Sequence, residues 1–183
     1  MQIIAGALRG RKIKTLTGEL TRPTTGMVRG AMFNILGPRI HGARVLDLYA
    51  GSGAIALEAL SRGAGEVVLV EKASEALMVI AENLKALGMG DRAQVQRAEV
   101  MSKLPALVGP FDVVIADPPY RTEDWTALLT ALQRPGLLAP DAAILLEHAK
   151  GEQLPEEVGA AVCRRTYRYG LAQLALFGLT APQ

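Results

Sequence analysis

Sulfur chemistry and imidazole are nearly missing: the 183 residues include one cysteine, Cys163, and two histidines, His41 and His148. A lone cysteine excludes an internal disulfide framework, and these three residues cannot complete a structural zinc site. They read as surface or core fillers, and no metal is expected. No uninterrupted apolar run approaches the roughly 18 residues of a membrane span. No charged, apolar, small-residue succession opens the chain. The expectation is a cytoplasmic protein, without a membrane partner and monomeric. Internal repeats and low-complexity tracts are also missing, while half of the residues are hydrophobic, enough for one substantial core.

Acidic residues are scarce in the first quarter of the chain. Residues 1–44 contain eight Lys/Arg and a single acid, Glu19, so this quarter carries +7 and the remainder −5. A solvated basic surface and a phosphate-binding surface both fit such a cluster, and composition leaves them even. Within it, Gln2–Gly6 and Arg11–Thr15 read as a hairpin with a basic exposed side. Arg22-Pro23-Thr24-Thr25 then enters a helix whose Val28, Met32, Ile35 and Leu36 share a face before Gly37-Pro38 ends it. This 1–44 unit has too few apolar residues for its own core and should pack on the main domain, 45–183.

From Val45 the pattern changes to short apolar runs alternating with amphipathic stretches, as in β-α-β units of a parallel sheet. Strands are expected at Val45-Leu46, Val67–Val70, Ala93–Gln96, Asp112–Ala116 and, after Pro140-Asp141, Ala142–Leu146. Helices are expected over 54–62, from an N-cap at Ser74 to Gly88, and over Trp125–Leu132. Gly151–Glu157 reads as a surface crossover. Val162–Tyr169 and Leu171–Phe177 flank Gly170 too closely for a helix and should form an antiparallel hairpin on the end of the sheet.

Two motifs carry chemistry. Asp47-Leu48-Tyr49-Ala50-Gly51-Ser52-Gly53 reads as strand, glycine turn and helix start, a place where open α/β sheets bind nucleotide-like cofactors. The glycines formally fit the dinucleotide fingerprint, with Glu71 at the ribose-binding distance. A tight turn with no ligand is the bland alternative. Asp47 favours a cationic ligand over a pyrophosphate, which points to S-adenosylmethionine rather than to NAD.

The second motif is Asp117-Pro118-Pro119-Tyr120. Its prolines remove two N–H donors and hold Asp117 and Pro118 extended. The Asp117 carboxylate and the Pro118 carbonyl can then face one amino group, with the Tyr120 ring available for stacking a base. Two acceptors on the hydrogens of a conjugated amine favour the geometry in which its lone pair meets an electrophilic methyl. A proline-stiffened loop with a solvated acid is the weaker alternative.

Together these motifs resemble the amino-methyltransferase superfamily. Arg22-Pro23-Thr24-Thr25, Val28-Arg29, Phe33-Asn34, the run Gly51 to Ala64 and Leu145-Leu146-Glu147-His148 are more closely similar to the bacterial 16S ribosomal RNA guanine-N2 methyltransferases. The resemblance runs over nearly the whole chain. It implies a Rossmann-like seven-stranded α/β sheet, mostly parallel with an antiparallel carboxyl-terminal hairpin, plus the small amino-terminal extension. It also implies methyl transfer from S-adenosylmethionine to a guanine of 16S RNA, conventionally numbered 966, free or in an assembling small subunit.

On this resemblance Thr24, Asp47 and Tyr49, with Gly51, Ser52 and Gly53, would serve the cofactor. Glu71 and Lys72 would lie at its ribose, Glu99 at its adenine and Asp117 beside it. Glu99 stands where the family more often has aspartate, and Gly26-Met27 where relatives carry an acid and a base. Asp117, Pro118 and Tyr120 would be catalytic, and Arg9, Arg11, Lys12, Lys14, Arg22 and Arg29 would face RNA. The acceptor pocket does not by itself choose a base, so an adenine or cytosine amino group of DNA or another RNA is the runner-up. An NAD-dependent oxidoreductase and a silent RNA-binding module fit less well.

Overall fold

The apolar runs become β1 (Arg44–Leu48), β2 (Glu66–Glu71) and β4 (Phe111–Ala116), three parallel strands buried on both faces at the centre of the sheet. The computed structural model describes residues 1–16, 26–118 and 124–180. β3 (Ala93–Arg97) forms the polar edge beside β2. β5 (Leu138–Ala149) is parallel to β4, and β6 (Glu157–Val158), β7 (Ala161–Tyr169) and β8 (Ala172–Leu179) complete an eight-stranded sheet of order β3-β2-β1-β4-β5-β8-β7-β6.

The sheet therefore has eight strands where seven were expected. The eighth is the two-residue β6, whose Glu157 was read as crossover; two residues are too short to leave an apolar pattern. The carboxyl-terminal hairpin is antiparallel as expected, but β8 inserts beside β5 and β7 lies outside it. Pro140-Asp141 falls inside β5 rather than before it. The ladder with β4 slips between Phe111 and Val113, and an irregularity of this kind tolerates a proline without an N–H.

Side-chain alternation divides the core into two layers. Val45, Leu69, Val113, Ile115 and Leu145 face α1 (Gly26–Leu36), α2 (Ala54–Ser61) and α3 (Ser74–Leu87). Leu46, Val70, Val114 and Leu146 face the opposite layer with α4 (Val100–Lys103) and α5 (Trp125–Leu132). No helix among the described residues is long and apolar enough to cross a membrane. Ser74 does not cap α3: Ala73 holds that place without a side-chain bond, and the Ser74 hydroxyl accepts from Arg97.

The amino-terminal hairpin forms as expected, through the antiparallel bridge of Gln2 with Lys12 and the bonds of the Ile3 N–H to the Arg11 carbonyl and of the Ile13 N–H to the Met1 carbonyl, and α2 and α3 satisfy much of its remaining backbone. Glu58, fully buried on α2, accepts the N–H groups of Ile4 (2.8 Å) and Ala5 (3.0 Å) and the Arg62 guanidinium (2.8 Å). Ser61 donates to the Ala5 carbonyl and accepts the Leu8 N–H. Arg29 lies 3.5 Å from the Glu58 carboxylate, donates to the Gln2 carbonyl and is 1% exposed. Its assignment to an RNA-facing surface is thus overturned: the guanidinium is consumed in joining α1, α2 and residue 2.

Removing one partner from a buried charge network strands the others. Glu58→Ala should destabilise the fold by ~3–5 kcal/mol, whereas Glu58→Gln, which keeps an acceptor, should lose less. Denaturant unfolding of both variants measures this; equal and small losses would contradict the network.

Candidate functional site

Strand order reverses between β1 and β4, which opens a crevice at their carboxyl ends. The glycine turn after β1 and Asp117-Pro118 after β4 border it. Asp47, expected at the strand end, lies inside β1 in register with Leu69 of β2 and Ile115 of β4, and it is fully buried. Its Oδ2 accepts the Ala56 N–H in the first turn of α2 at 3.1 Å, while Oδ1 has no hydrogen-bond partner among the described residues. Burial pushes the Asp47 carboxyl up to about 8; the Ala56 N–H opposes the shift, and the charges of Asp117 and Glu71 add to it.

The turn after β1 uses left-handed backbone at Tyr49 (φ 61°), Gly51 (φ 54°) and Gly53 (φ 76°). For a tyrosine this conformation is strained, and such strain gathers at ligand sites. A Cβ on Gly53 would press on Ile80 at 3.2 Å, so packing as well as φ requires glycine there. A Cβ on Gly51 would meet nothing nearer than the Tyr49 carbonyl at 4.0 Å. That side of the turn is open.

Glu71 ends β2 and braces the turn. Its Oε2 accepts the Gly51 N–H at 2.9 Å, and its Oε1 accepts the Lys72 and Ala73 N–H groups, each at 2.8 Å. Across the neighbouring strand end, Glu99 is exposed and caps α4 by accepting from the Ser102 N–H and hydroxyl. The Ser102 N–H, helped by the hydroxyl and by the charge of Lys72, holds the Glu99 carboxyl below the ordinary range.

A residue the sequence reading missed fastens the turn from behind. Asn83, 2% exposed on α3, donates to the Ser52 and Lys14 carbonyls at 3.0 Å each and accepts the Lys14 N–H at 2.8 Å. Its signal was an amide on the apolar stripe of α3, between Ile80 and Leu87.

On the far side of the crevice, Asp117 and Pro118 follow β4 and are half-buried. Pro119, Tyr120, Arg22 and Thr24 lie outside the described residues. Arg9, Arg11, Lys12 and Lys14 are exposed on the amino-terminal segment; Arg11 donates to the Ala86 carbonyl and Lys14 pairs with Glu82, both on α3. Surface grooves lined by Phe33, Asn34, His41 and Arg62 and by Arg39, Asp112 and Asp141 lie toward the amino ends of the strands. Those grooves are concave, but the carboxylates and the glycine turn are elsewhere, and the chemistry decides the site.

The family model described as conserved hypothetical protein 95 matches residues 1–178. The chain is 36% identical over 178 residues to ribosomal RNA small subunit methyltransferase D of Escherichia coli (strain K12), covering 92% of this chain and 89% of that one. It is 38% identical over 180 residues to YlbH of Bacillus subtilis (strain 168), covering 97% and 98%. The chain belongs to the ribosomal RNA small subunit methyltransferase D family. A solved Escherichia coli structure described as a methyltransferase matches it with a TM-score of 0.89 at 35% identity, covering 100% and 99% of the two chains.

The raised Asp47 carboxyl sets a pH dependence. Between its unperturbed value of 3.8 and about 8 the folded state holds the proton that the unfolded state releases. Stability from this residue is therefore greatest at the acid end and falls as pH rises through that window. The stability of Asp47→Asn relative to the wild type should increase from about pH 4 to about pH 8, measured by denaturant unfolding without ligand. A pH-independent difference would show that Asp47 is ionised in the folded protein.

Proposed function

We propose that the protein transfers a methyl group from S-adenosylmethionine to the exocyclic N2 amine of a guanine in 16S ribosomal RNA, acting in the cytoplasm as a monomer. One observation carries the reading: in a chain of the ribosomal RNA small subunit methyltransferase D family, the Asp117-Pro118 acceptors stand across a single crevice from the glycine turn over Asp47. The residues present suit the cofactor. The buried Oδ1 of Asp47, without a hydrogen-bond partner among the described residues, gives a cationic group an oxygen to meet, and a cation there would draw the proton off this raised carboxyl; the open side of Gly51 leaves room for close approach. The Gly51 N–H that a pyrophosphate would use is already taken by Glu71, which counts against NAD.

When bound, S-adenosylmethionine supplies a methyl group on an electron-poor sulfonium. Asp47 and the turn residues Tyr49, Gly51, Ser52 and Gly53 hold the methionine end, with Thr24 in support. Glu71 and Lys72 take the ribose, and Glu99 the adenine side. Asp117 and the Pro118 carbonyl accept the two N2 hydrogens and aim the nitrogen lone pair across the crevice; Tyr120 stacks on the base. Guanine N2 is inaccessible in a paired stack, so the target is a loop or a flipped base. Arg9, Arg11, Lys12, Lys14 and Arg22 grip phosphates around it, either on free RNA or on an assembling small subunit.

Asp117→Ala should lower single-turnover methyl transfer by roughly two orders of magnitude or more while leaving S-adenosylmethionine affinity nearly unchanged. Near-normal transfer would remove Asp117 from the chemistry. Changing Arg9, Arg11 and Lys12 to Ala should weaken RNA binding and flatten its dependence on salt by about one unit of slope per lost phosphate contact. Substrate class is decided by offering free 16S RNA, partly assembled subunits and duplex DNA in parallel and mapping the methylated atom by mass spectrometry. Methyl on DNA, or on an RNA atom other than guanine N2, overturns the assignment.

A further inference from the structure

Beside Asp117 the sheet places a second carboxylate that the reading above leaves without a role. β4 and β5 run parallel in the register Ile115 with Leu145 and Ala116 with Leu146. Carried one residue further, that register sets Asp117 beside Glu147. The strands lie about 4.8 Å apart, and residues in register point to the same face. Ile115 and Leu145 both belong to the core layer of α1, α2 and α3, and so does Leu174, the partner of Glu147 on β8. Asp47 falls on that face too, two residues after Val45. Glu147 is half-buried at the carboxyl end of β5, on the acceptor side of the crevice and two strands from the glycine turn. It is thus placed toward the base rather than toward the cofactor.

Base edges differ in what they can offer two neighbouring acceptors. Guanine carries an N1–H next to its N2 amine, so two adjacent carboxylates both receive donors. Adenine and cytosine carry a ring-nitrogen lone pair next to their amine. A carboxylate facing that lone pair receives nothing and is repelled. We propose that Glu147 is the residue that selects guanine, accepting the N1–H while Asp117 and the Pro118 carbonyl hold N2. The proposal rests on the guanine-N2 reading and adds to it the group that makes the acceptor pocket choose a base. A carboxylate facing an acceptor inside the crevice discriminates more sharply than a missing van der Waals contact, since negative charge then meets a lone pair.

The test uses the full-length enzyme and substrate RNA carrying either guanine or 2,6-diaminopurine at the target position. Diaminopurine keeps the N2 amine but presents an acceptor at N1. The wild type should prefer guanine by about a hundredfold or more in kcat/KM. In Glu147→Gln the amide can donate to the diaminopurine N1, so the preference should shrink by at least about tenfold. Glu147→Leu should lose guanine activity and, with the repelling carboxylate gone, raise diaminopurine activity above the wild-type level. S-adenosylmethionine affinity, measured by calorimetry, should be unchanged in both variants, which separates base selection from damage to the fold. An unaltered guanine preference in Glu147→Gln, with transfer intact, overturns the role of Glu147 alone. Failure of the wild type to methylate guanine N2 in any RNA overturns the underlying assignment as well.

Discussion

α2 is gripped by a buried carboxylate at each end, and the rest of the molecule is arranged about that constraint. At its start Asp47 accepts the Ala56 N–H from within β1; at its end Glu58 accepts two backbone N–H groups of the amino-terminal segment and a guanidinium. A carboxylate without such donors would be expelled from the core. The donors therefore dictate where residues 4 and 5 run, how α1 leans through Arg29 and how the glycine turn meets its helix. Sequence elements more than fifty positions apart become one rigid wall of the crevice.

Charge is distributed across the strand ends with equal economy. Glu99, Glu71, Asp47, Asp117 and Glu147 belong to or follow β3, β2, β1, β4 and β5 in spatial order, each toward the carboxyl-terminal side of its parallel strand. Glu71 and Glu99 are held by backbone N–H groups, and at Glu99 the Ser102 N–H favours the ionised form. Asp47 has one such bond and full burial, and its carboxyl moves the other way. The row sets carboxyl groups along the carboxyl-terminal side of the parallel strands. The exposed basic residues lie outside it, on the segment that α2 and α3 hold in place.

Asn83 shows how the two halves of this arrangement communicate. One side chain bonds the Ser52 carbonyl of the glycine turn and both backbone groups of Lys14. A buried amide with donors and acceptor satisfied contributes rigidity as well as stability. The glycine turn and the basic segment therefore share one anchor on α3.

The sequence by itself determined the strands and helices of the parallel half, because continuous apolar runs and a 3.6-residue period are local properties. It also determined the glycine turn and the Asp117-Pro118 pair, since φ > 0 and the loss of N–H donors follow from residue type alone. Arg29 shows the limit of that reading. An arginine among basic neighbours looks exposed until Glu58, 29 positions later, is folded against it. β6, the place of β8 inside the sheet and the burial of Asp47 were likewise decided only by tertiary structure. Each depends on register or on a partner distant in the chain, and neither leaves a periodic trace in the residues that obey it.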